Sequence, residues 1–129
     1  MVEQNYPTPC RKKKPFKKNL SKTFKRRSYW LRKHPVLFNI LAQKAASLIK
    51  EQDVIFIDAG TTTAFLIHEL VNKNITVVTN SIHHAAQLVE KQIPTVMVGG
   101  SVKMATDASI GGVALNQINQ LHFDRAFIG

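Results

Sequence analysis

Cysteine occurs once in the 129 residues, at Cys10. No internal disulfide can form, and the composition fits a reducing compartment. Long apolar runs are also missing. A membrane-spanning helix needs about 18 or more consecutive apolar residues, and here every candidate stretch is interrupted by Lys, Gln, Asp or Gly. No membrane partner is expected. The chain opens on charged residues without the short apolar core of a secretory leader, which predicts an intracellular, cytoplasmic protein. Metal-ligand spacing is absent as well. His83 and His84 are adjacent and would point about 100° apart on a helix, while His34, His68 and His122 stand alone. With one cysteine no zinc site suggests itself, so neither metal nor cofactor is expected. There is no Gly-x-Ser-x-Gly elbow, and Cys10 lies in a segment without regular patterning, so no catalytic nucleophile is nominated.

Acidic residues are scarce in one place only. Residues 1–34 carry twelve Lys and Arg against Glu3 alone, a net +11, while residues 35–129 carry six against seven, a net −1. The whole-chain charge of +10 therefore resides in the first quarter. Pro7, Pro9 and Pro15 break any early helix there, and Phe16, Leu20, Phe24, Tyr29, Trp30 and Leu31 are scattered among the cations. A helix over Leu20–Lys33 is marginal, because its cations repel one another without an acidic partner. The expectation is a basic, largely disordered arm over 1–34. Through Arg11, Lys12, Lys13, Lys14, Lys17, Lys18, Lys25, Arg26 and Arg27 it is a candidate for salt-sensitive, poorly sequence-selective contact with nucleic-acid phosphates, with its aromatic residues stacking on bases. A solvated leader with no such role is the competing view.

From Pro35 the pattern changes. Val36, Leu37, Ile40, Leu41, Ala45, Leu48 and Ile49 recur at three- and four-residue steps and predict one apolar helix face, ended by Glu51-Gln52-Asp53. Val54-Ile55-Phe56-Ile57 is a short apolar, β-branched run of the type that forms a strand covered on both faces. Thr61 or Thr62 then caps a helix reaching about Asn72, with Phe65, Leu66 and Leu70 inward. The unit repeats: a strand Ile75–Thr79, a helix capped at Asn80-Ser81 with Ile82, Ala85, Ala86 and Val89 inward, and a strand Thr95–Val98. A looser stretch follows, then a helix near Val113–Gln120 and a last strand Ala126–Ile128. Strands alternating with such helices predict an α/β fold built as an open parallel βαβ sheet over 35–129.

In such a sheet ligands bind beyond the carboxyl ends of the strands, which brings three segments to one edge: Asp58-Ala59-Gly60-Thr61-Thr62-Thr63, Asn80-Ser81 and Gly99-Gly100. Gly60 permits close backbone approach and a positive φ, and the three threonines offer hydroxyls and orphan amides at a helix N-terminus, where the dipole favours an anion. The loop lacks the lysine and second glycine of a nucleotide P-loop. Asp58 repels a phosphate but suits sugar hydroxyls. Each segment has a plain alternative: Gly-Thr-Thr-Thr and Asn80-Ser81 also describe ordinary helix starts, and Gly99-Gly100 an ordinary turn. Asp107 and Ser109, ahead of Gly111-Gly112, are weaker candidates to close over a ligand.

These residues resemble a known family. The run Ala42–Ile49 followed by Asp53–Thr63, then Ile75–Ser81, Val98-Gly99-Gly100, Gly111 and Phe123–Gly129, looks like the effector-binding domain of DeoR-family bacterial transcriptional repressors. The resemblance spans Gln43 to Gly129. It implies a phosphorylated-sugar sensor related in fold to ribose-phosphate isomerases and CoA transferases, not an enzyme. In full members it implies an N-terminal winged helix-turn-helix that leaves operator DNA when the effector binds. Asp58, Gly60, Thr61, Thr62, Thr63, Asn80, Ser81, Gly99 and Gly100 are then the expected effector contacts, and a homo-oligomer is the expected state. Residues 1–34 do not show the helix-turn-helix, and the family module runs beyond Gly129, so the expectation is a partial sensor domain, incomplete at its C-terminus. The competing functions are a sugar-phosphate isomerase, which would need a positioned carboxylate base, and a non-functional gene fragment whose basic arm binds nucleic acid nonspecifically.

Overall fold

A computed structural model describes Tyr29 and residues 32–129. The nine basic positions nominated for nucleic-acid contact, and nearly all of the arm expected over 1–34, lie outside the described residues. Within them, Arg32 and Lys33 are helical and the Lys33 ammonium stands 4.9 Å from the centre of the Tyr29 ring. No helix among the described residues is long and apolar enough to cross a membrane.

The remaining elements alternate: α1 (Pro35–Ser47), β1 (Val54–Ile57), α2 (Thr61–His68), β2 (Thr76–Thr79), α3 (Ile82–Glu90), β3 (Thr95–Met97), β4 (Ser101–Lys103), β5 (Ala108–Ile110), α4 (Gly112–Gln120) and β6 (Arg125–Phe127). Four strands form one sheet in the order β3-β2-β1-β6, and each neighbouring pair is parallel. The βαβ expectation therefore holds. What the sequence pattern did not specify is that β6 returns to the far side of β1. Val54, Ile55, Phe56 and Ile57 pair with Thr76, Val77, Val78 and Thr79, and Ile55, Phe56 and Ile57 pair with Arg125, Ala126 and Phe127.

Both faces of the sheet are covered, which is why its strands read as apolar runs rather than alternating ones. On one face Ile55, Ile57 and Val77 pack with Ala46, Ile49, Leu66, Ile67, Leu70 and Leu88 from the first three helices and the turns after them. On the other, Phe56, Val78 and Val98 pack with Ala114, Ile118, Leu121 and Phe123. Ile55, Ile57 and Val77 have no exposed surface, and each contributes about 1.5–3 kcal/mol by leaving water.

Two predicted helix faces are corrected. On α1 the inward residues are Ala42 and Ala46, followed by Ile49, while Val36, Leu37, Ile40, Leu41 and Leu48 are exposed. Small alanines let α1 lie close to α2, with Phe38 stacked on Phe65 at 5.7 Å. On α3 the buried residues are His84 and Leu88, and Ile82 and Val89 face solvent. α2 ends at His68 rather than near Asn72, although Leu70 beyond it is buried. The looser stretch after Gly100 is an antiparallel hairpin, β4–β5, whose strands pair Ser101 with Ile110 and Lys103 with Ala108.

Candidate functional site

Because β3, β2, β1 and β6 are parallel, their carboxyl ends share one edge of the sheet. Chain order reverses between β1 and β6: β1 leads outward to β2 and β3 on one side, while β6 closes the other side. Ligands of open α/β sheets sit at such a switch point. The loop after β1 and the residues after β6 flank it. Asp58 N–H donates to Phe127 O at 3.0 Å, and a Cβ added to Gly129 would stand 3.0 Å from the Thr63 methyl carbon, so the two segments touch.

The loop's geometry differs from expectation in two respects. Gly60 is extended, at φ −170°, so positive φ is not its contribution. Its value is closeness: a Cβ there would meet Thr63 Oγ1 at 3.2 Å and Gly129 Cα at 3.6 Å. Gly60, not Thr61 or Thr62, is also the N-cap of α2. Having no side chain, it cannot cap the first turn, and the threonines are the first helical residues. Thr63 is buried and its hydroxyl turns back, shared between Asp58 O at 2.7 Å and Gly60 O at 2.9 Å. That hydroxyl shapes the loop. Thr61 and Thr62 are the more open pair.

Asn80 joins the end of β2 to this loop. Its Oδ1 accepts from Ala59 N–H at 2.8 Å, and its Nδ2 donates to Asp58 Oδ1 at 2.9 Å. Asp58 and Asn80 are thus brought together as the sequence suggested, with one oxygen of the carboxylate already engaged. Ser81 is buried, and its hydroxyl accepts from His84 N–H at 3.2 Å, the helix-cap role that was its plain alternative. Thr79, next to it, donates its hydroxyl to Ile57 O at 2.8 Å and so pins the two strand ends together.

Gly99 and Gly100 lie at the same edge but farther out. β3 is two strands from β1, about 10 Å at the usual strand spacing. Gly99 N–H donates to Gln117 Oε1 of α4 at 2.8 Å. Gly100 has φ +145°, and a Cβ there would come within 2.7 Å of Ile110 O. Its role is to let the hairpin turn back. The hairpin then crosses the end of β2: Ser81 bridges Ala108, Ser109 N–H donates to Asn80 O at 2.7 Å, and Ile82 N–H donates to Asp107 O at 3.1 Å. Asp107 and Ser109 therefore sit over this edge. Asp107 is exposed, whereas Ser109 is buried with no hydrogen-bond partner for its hydroxyl among the described residues.

His84 also lies at this edge, a residue weighed from the sequence only as a metal ligand and not nominated. It is 2 % exposed, and Nε2 lies 3.1 Å from Gly60 O. Burial pushes its imidazole below the usual histidine range, helped by the neighbouring His83. The contact with Gly60 O and the charge of Asp58 pull the other way. No group of three or more His, Cys, Asp or Glu placed to hold a metal ion occurs among the described residues.

A parallel α/β unit with an uncapped helix start and polar loops gathered at a switch point is the class of domain that this fold and edge define. The chain belongs to the DeoR family: residues 39–129 match the model of the DeoR C terminal sensor domain. Over 90 residues it is 46% identical to an uncharacterized HTH-type transcriptional regulator FruR of Bacillus subtilis (strain 168), covering 69% of this chain and 36% of that protein. It is 33% identical over 90 residues to the lactose phosphotransferase system repressor of Staphylococcus aureus, covering 67% and 36%. The chain spans about a third of the length of the curated relatives it matches. Among solved structures, ribose 5-phosphate isomerase A from Methanocaldococcus jannaschii superposes on 50% of this chain and 32% of that one, at 25% identity and a TM-score of 0.46. The Neisseria gonorrhoeae enzyme does so on 51% and 32%, at 32% identity and 0.44.

Proposed function

We propose that this chain is the effector-sensing part of a DeoR-type transcriptional regulator and that its effector is a phosphorylated sugar. The observation that carries the proposal is the start of α2. An uncapped helix N-terminus with its dipole lies at the β1–β6 switch point, and Asp58 and Asn80 stand beside it. A phosphate takes the amides of Thr61, Thr62 and Thr63, which supply donors without a mobile cation. The free oxygen of Asp58 accepts from a sugar hydroxyl, which places the sugar ring on the carboxylate side and the phosphate on the helix side. Asp107 on the hairpin and the Gly99-Gly100 turn bound the ring from the β2 and β3 side.

The names of relatives support the sugar side of this proposal, since one is a lactose phosphotransferase system repressor. In the complete regulator, effector binding at this edge is coupled to release of DNA by a separate DNA-binding region. The basic residues Arg11–Lys14, Lys17, Lys18 and Lys25–Arg27 add a nonspecific phosphate contact in this chain. Isomerase chemistry is the weaker proposal. Asp58, the acid beside the loop, already commits one oxygen to Asn80, and no group of three or more potential metal-ligating or acid–base residues gathers around it among the described residues.

The test is a panel of hexose and pentose phosphates, the matching unphosphorylated sugars and inorganic phosphate, read by thermal shift and calorimetry. Sugar phosphates are expected to bind at least tenfold more tightly than either half alone. Equal response to sugar with and without phosphate would refute the placement of the phosphate at α2.

A further inference from the structure

His84 occupies a position that neither helix packing nor metal binding accounts for. It lies on the buried face of α3, where an aliphatic residue such as Leu88 does the packing one turn later. Its side chain reaches across to the loop after β1, with Nε2 3.1 Å from Gly60 O. A carbonyl oxygen only accepts, so Nε2 carries the proton and donates. Nδ1 is then a bare acceptor, buried and without a hydrogen bond among the described residues.

Gly60 O has two other donors already: Ala64 N–H at 3.2 Å closes the first helical turn, and Thr63 Oγ1 lies at 2.9 Å. The imidazole is therefore not needed to satisfy this carbonyl. What it adds is direction. Gly60 O and Thr61 N–H belong to the same planar trans peptide and point opposite ways. Holding the oxygen toward α3 turns the Thr61 amide away from α3. The anchor is itself rigid. His84 N–H is held by Ser81 Oγ at 3.2 Å, Ser81 N–H by Thr79 Oγ1 at 3.1 Å, and the Thr79 hydroxyl by Ile57 O at 2.8 Å. The chain of contacts runs from the end of β1 through β2 and α3 and returns to the loop that follows β1.

We propose that His84 is the positioning residue of the anion loop: by donating to the Gly60 carbonyl it fixes the Gly60–Thr61 peptide plane and aims the Thr61 amide at the bound anion. This rests on the effector site lying at α2. His84 itself touches no ligand. It is also a role that the polarity pattern of α3 hides, because a histidine among Ile82, Ala85, Ala86 and Val89 reads as the solvent side of an amphipathic helix.

Two variants and one wild-type measurement test it. His84→Leu keeps apolar bulk and removes the donor, whereas His84→Gln keeps an N–H of similar reach. Amide hydrogen exchange at Ala64, whose N–H donates to the same Gly60 carbonyl, is expected to speed up about tenfold in His84→Leu, the worth of one hydrogen bond, and to stay within about threefold of wild type in His84→Gln. Exchange at Ile55 and Val77 in the core should be unchanged in both. The affinity for the hexose phosphates and inorganic phosphate should follow the same order. In wild type, nitrogen-15 shifts should show the Nε2–H tautomer.

Wild-type exchange at Ala64 in His84→Leu would overturn the proposal, and so would equal damage in the two variants, since packing alone would then explain both. An Nδ1–H tautomer overturns it even if His84→Leu fails to fold. If wild type binds no anion while the exchange pattern holds, the sugar-phosphate proposal fails and the positioning of the loop by His84 stands.

Discussion

Replacing Asn80 by Asp tests the joint between the β2 end and the loop. Asn80 uses both ends of its amide: Oδ1 accepts from Ala59 N–H at 2.8 Å, and Nδ2 donates to Asp58 Oδ1 at 2.9 Å. Asn80→Asp keeps the acceptor and the shape but sets a carboxylate oxygen against Asp58. A hydrogen bond to a charged group contributes about 1.5–3 kcal/mol, and the lower end applies to this half-buried pair. Two unit charges at about 4 Å repel by about 1 kcal/mol in water and about 4 at a protein surface, so about 2 is reasonable at this edge. The variant should be about 3.5 kcal/mol less stable at pH 7.5 by urea unfolding, the sum of these two losses. Two carboxylates sharing a site take up one proton together more readily than either would alone. Once that proton is bound, the repulsion vanishes and a carboxyl O–H donates where the amide did. At pH 4.5 the deficit should shrink to about 1 kcal/mol. Asn80→Ala loses both hydrogen bonds without adding charge, and its deficit of about 2.5 kcal/mol should change less between the two pH values than that of Asn80→Asp. An Asn80→Asp deficit that is the same at both pH values, or larger in acid, would refute the facing of Asp58 and Asn80.

Four further outcomes are expected. Gly100→Ala forces a side chain at φ +145° and within 2.7 Å of Ile110 O, and should cost about 2–3 kcal/mol or unfold the hairpin. Gly111→Ala, at φ +96° in open space, should cost about 1 kcal/mol, and Gly112→Ala, with neither strain nor contact, close to nothing; chemical denaturation ranks the three, and equal costs would be the wrong result. Thr63→Val removes the hydroxyl shared by Asp58 O and Gly60 O, and should cost about 1 kcal/mol and weaken sugar-phosphate binding in calorimetry. His84 is held below its ordinary value chiefly by burial. Its contribution is therefore complete above the unfolded value of about 6.5 and declines as pH falls from there to the folded value; stability curves for wild type and His84→Gln should diverge over that window and run parallel above it. Finally, α1 leaves Val36, Leu37, Ile40 and Leu41 at 50% exposure or more, and self-association through this face predicts that Ile40→Glu lowers the mass seen in sedimentation without lowering stability.

The sheet was legible because its strands are buried on both sides. Val54–Ile57 was read at its observed bounds, and the second and third strands within a residue, since a wholly apolar β-branched run has few other uses. The position of β6 was not legible. Arg125–Phe127 is a three-residue strand, and nothing local says that it pairs with β1 rather than β3. Nor was the hairpin: Ser101, Val102 and Lys103 are all exposed, so no alternation marks them. Helix ends were blurred for a different reason. Gln52, Asn72 and Gln92 take positive φ of 66°, 61° and 58° after the helices, so the glycine that usually announces such a turn is missing. Of the proposed site, Asp58, Gly60 and Asn80 were nominated from strand ends and topology, and the structure brings them together at one edge. His84 was not found, because polarity sorts a histidine outward unless its partner is known, and here the partner is a backbone carbonyl 24 residues earlier.

The division of labour around Gly60 follows from which polar groups are buried. Thr63, Thr79, Ser81 and His84 are buried, and each turns its hydrogen-bonding capacity onto the backbone of a strand end, a helix start or the loop itself. Burial favours pairing a polar group, and pairing these four to backbone makes the loop's shape a consequence of the core. What remains open at the edge is the first turn of α2, the second oxygen of Asp58, and the hydroxyls of Thr61 and Thr62. In the proposed function these groups bind and orient the effector. A loop fixed in this way loses little entropy when an anion settles on it, so affinity is spent on recognition rather than on ordering the site. That is what the proposed sensing role requires. It also explains why changes to the inward groups should alter ligand affinity without touching the ligand, and why replacing Thr61 or Thr62 with serine should leave the loop's hydrogen exchange as it is.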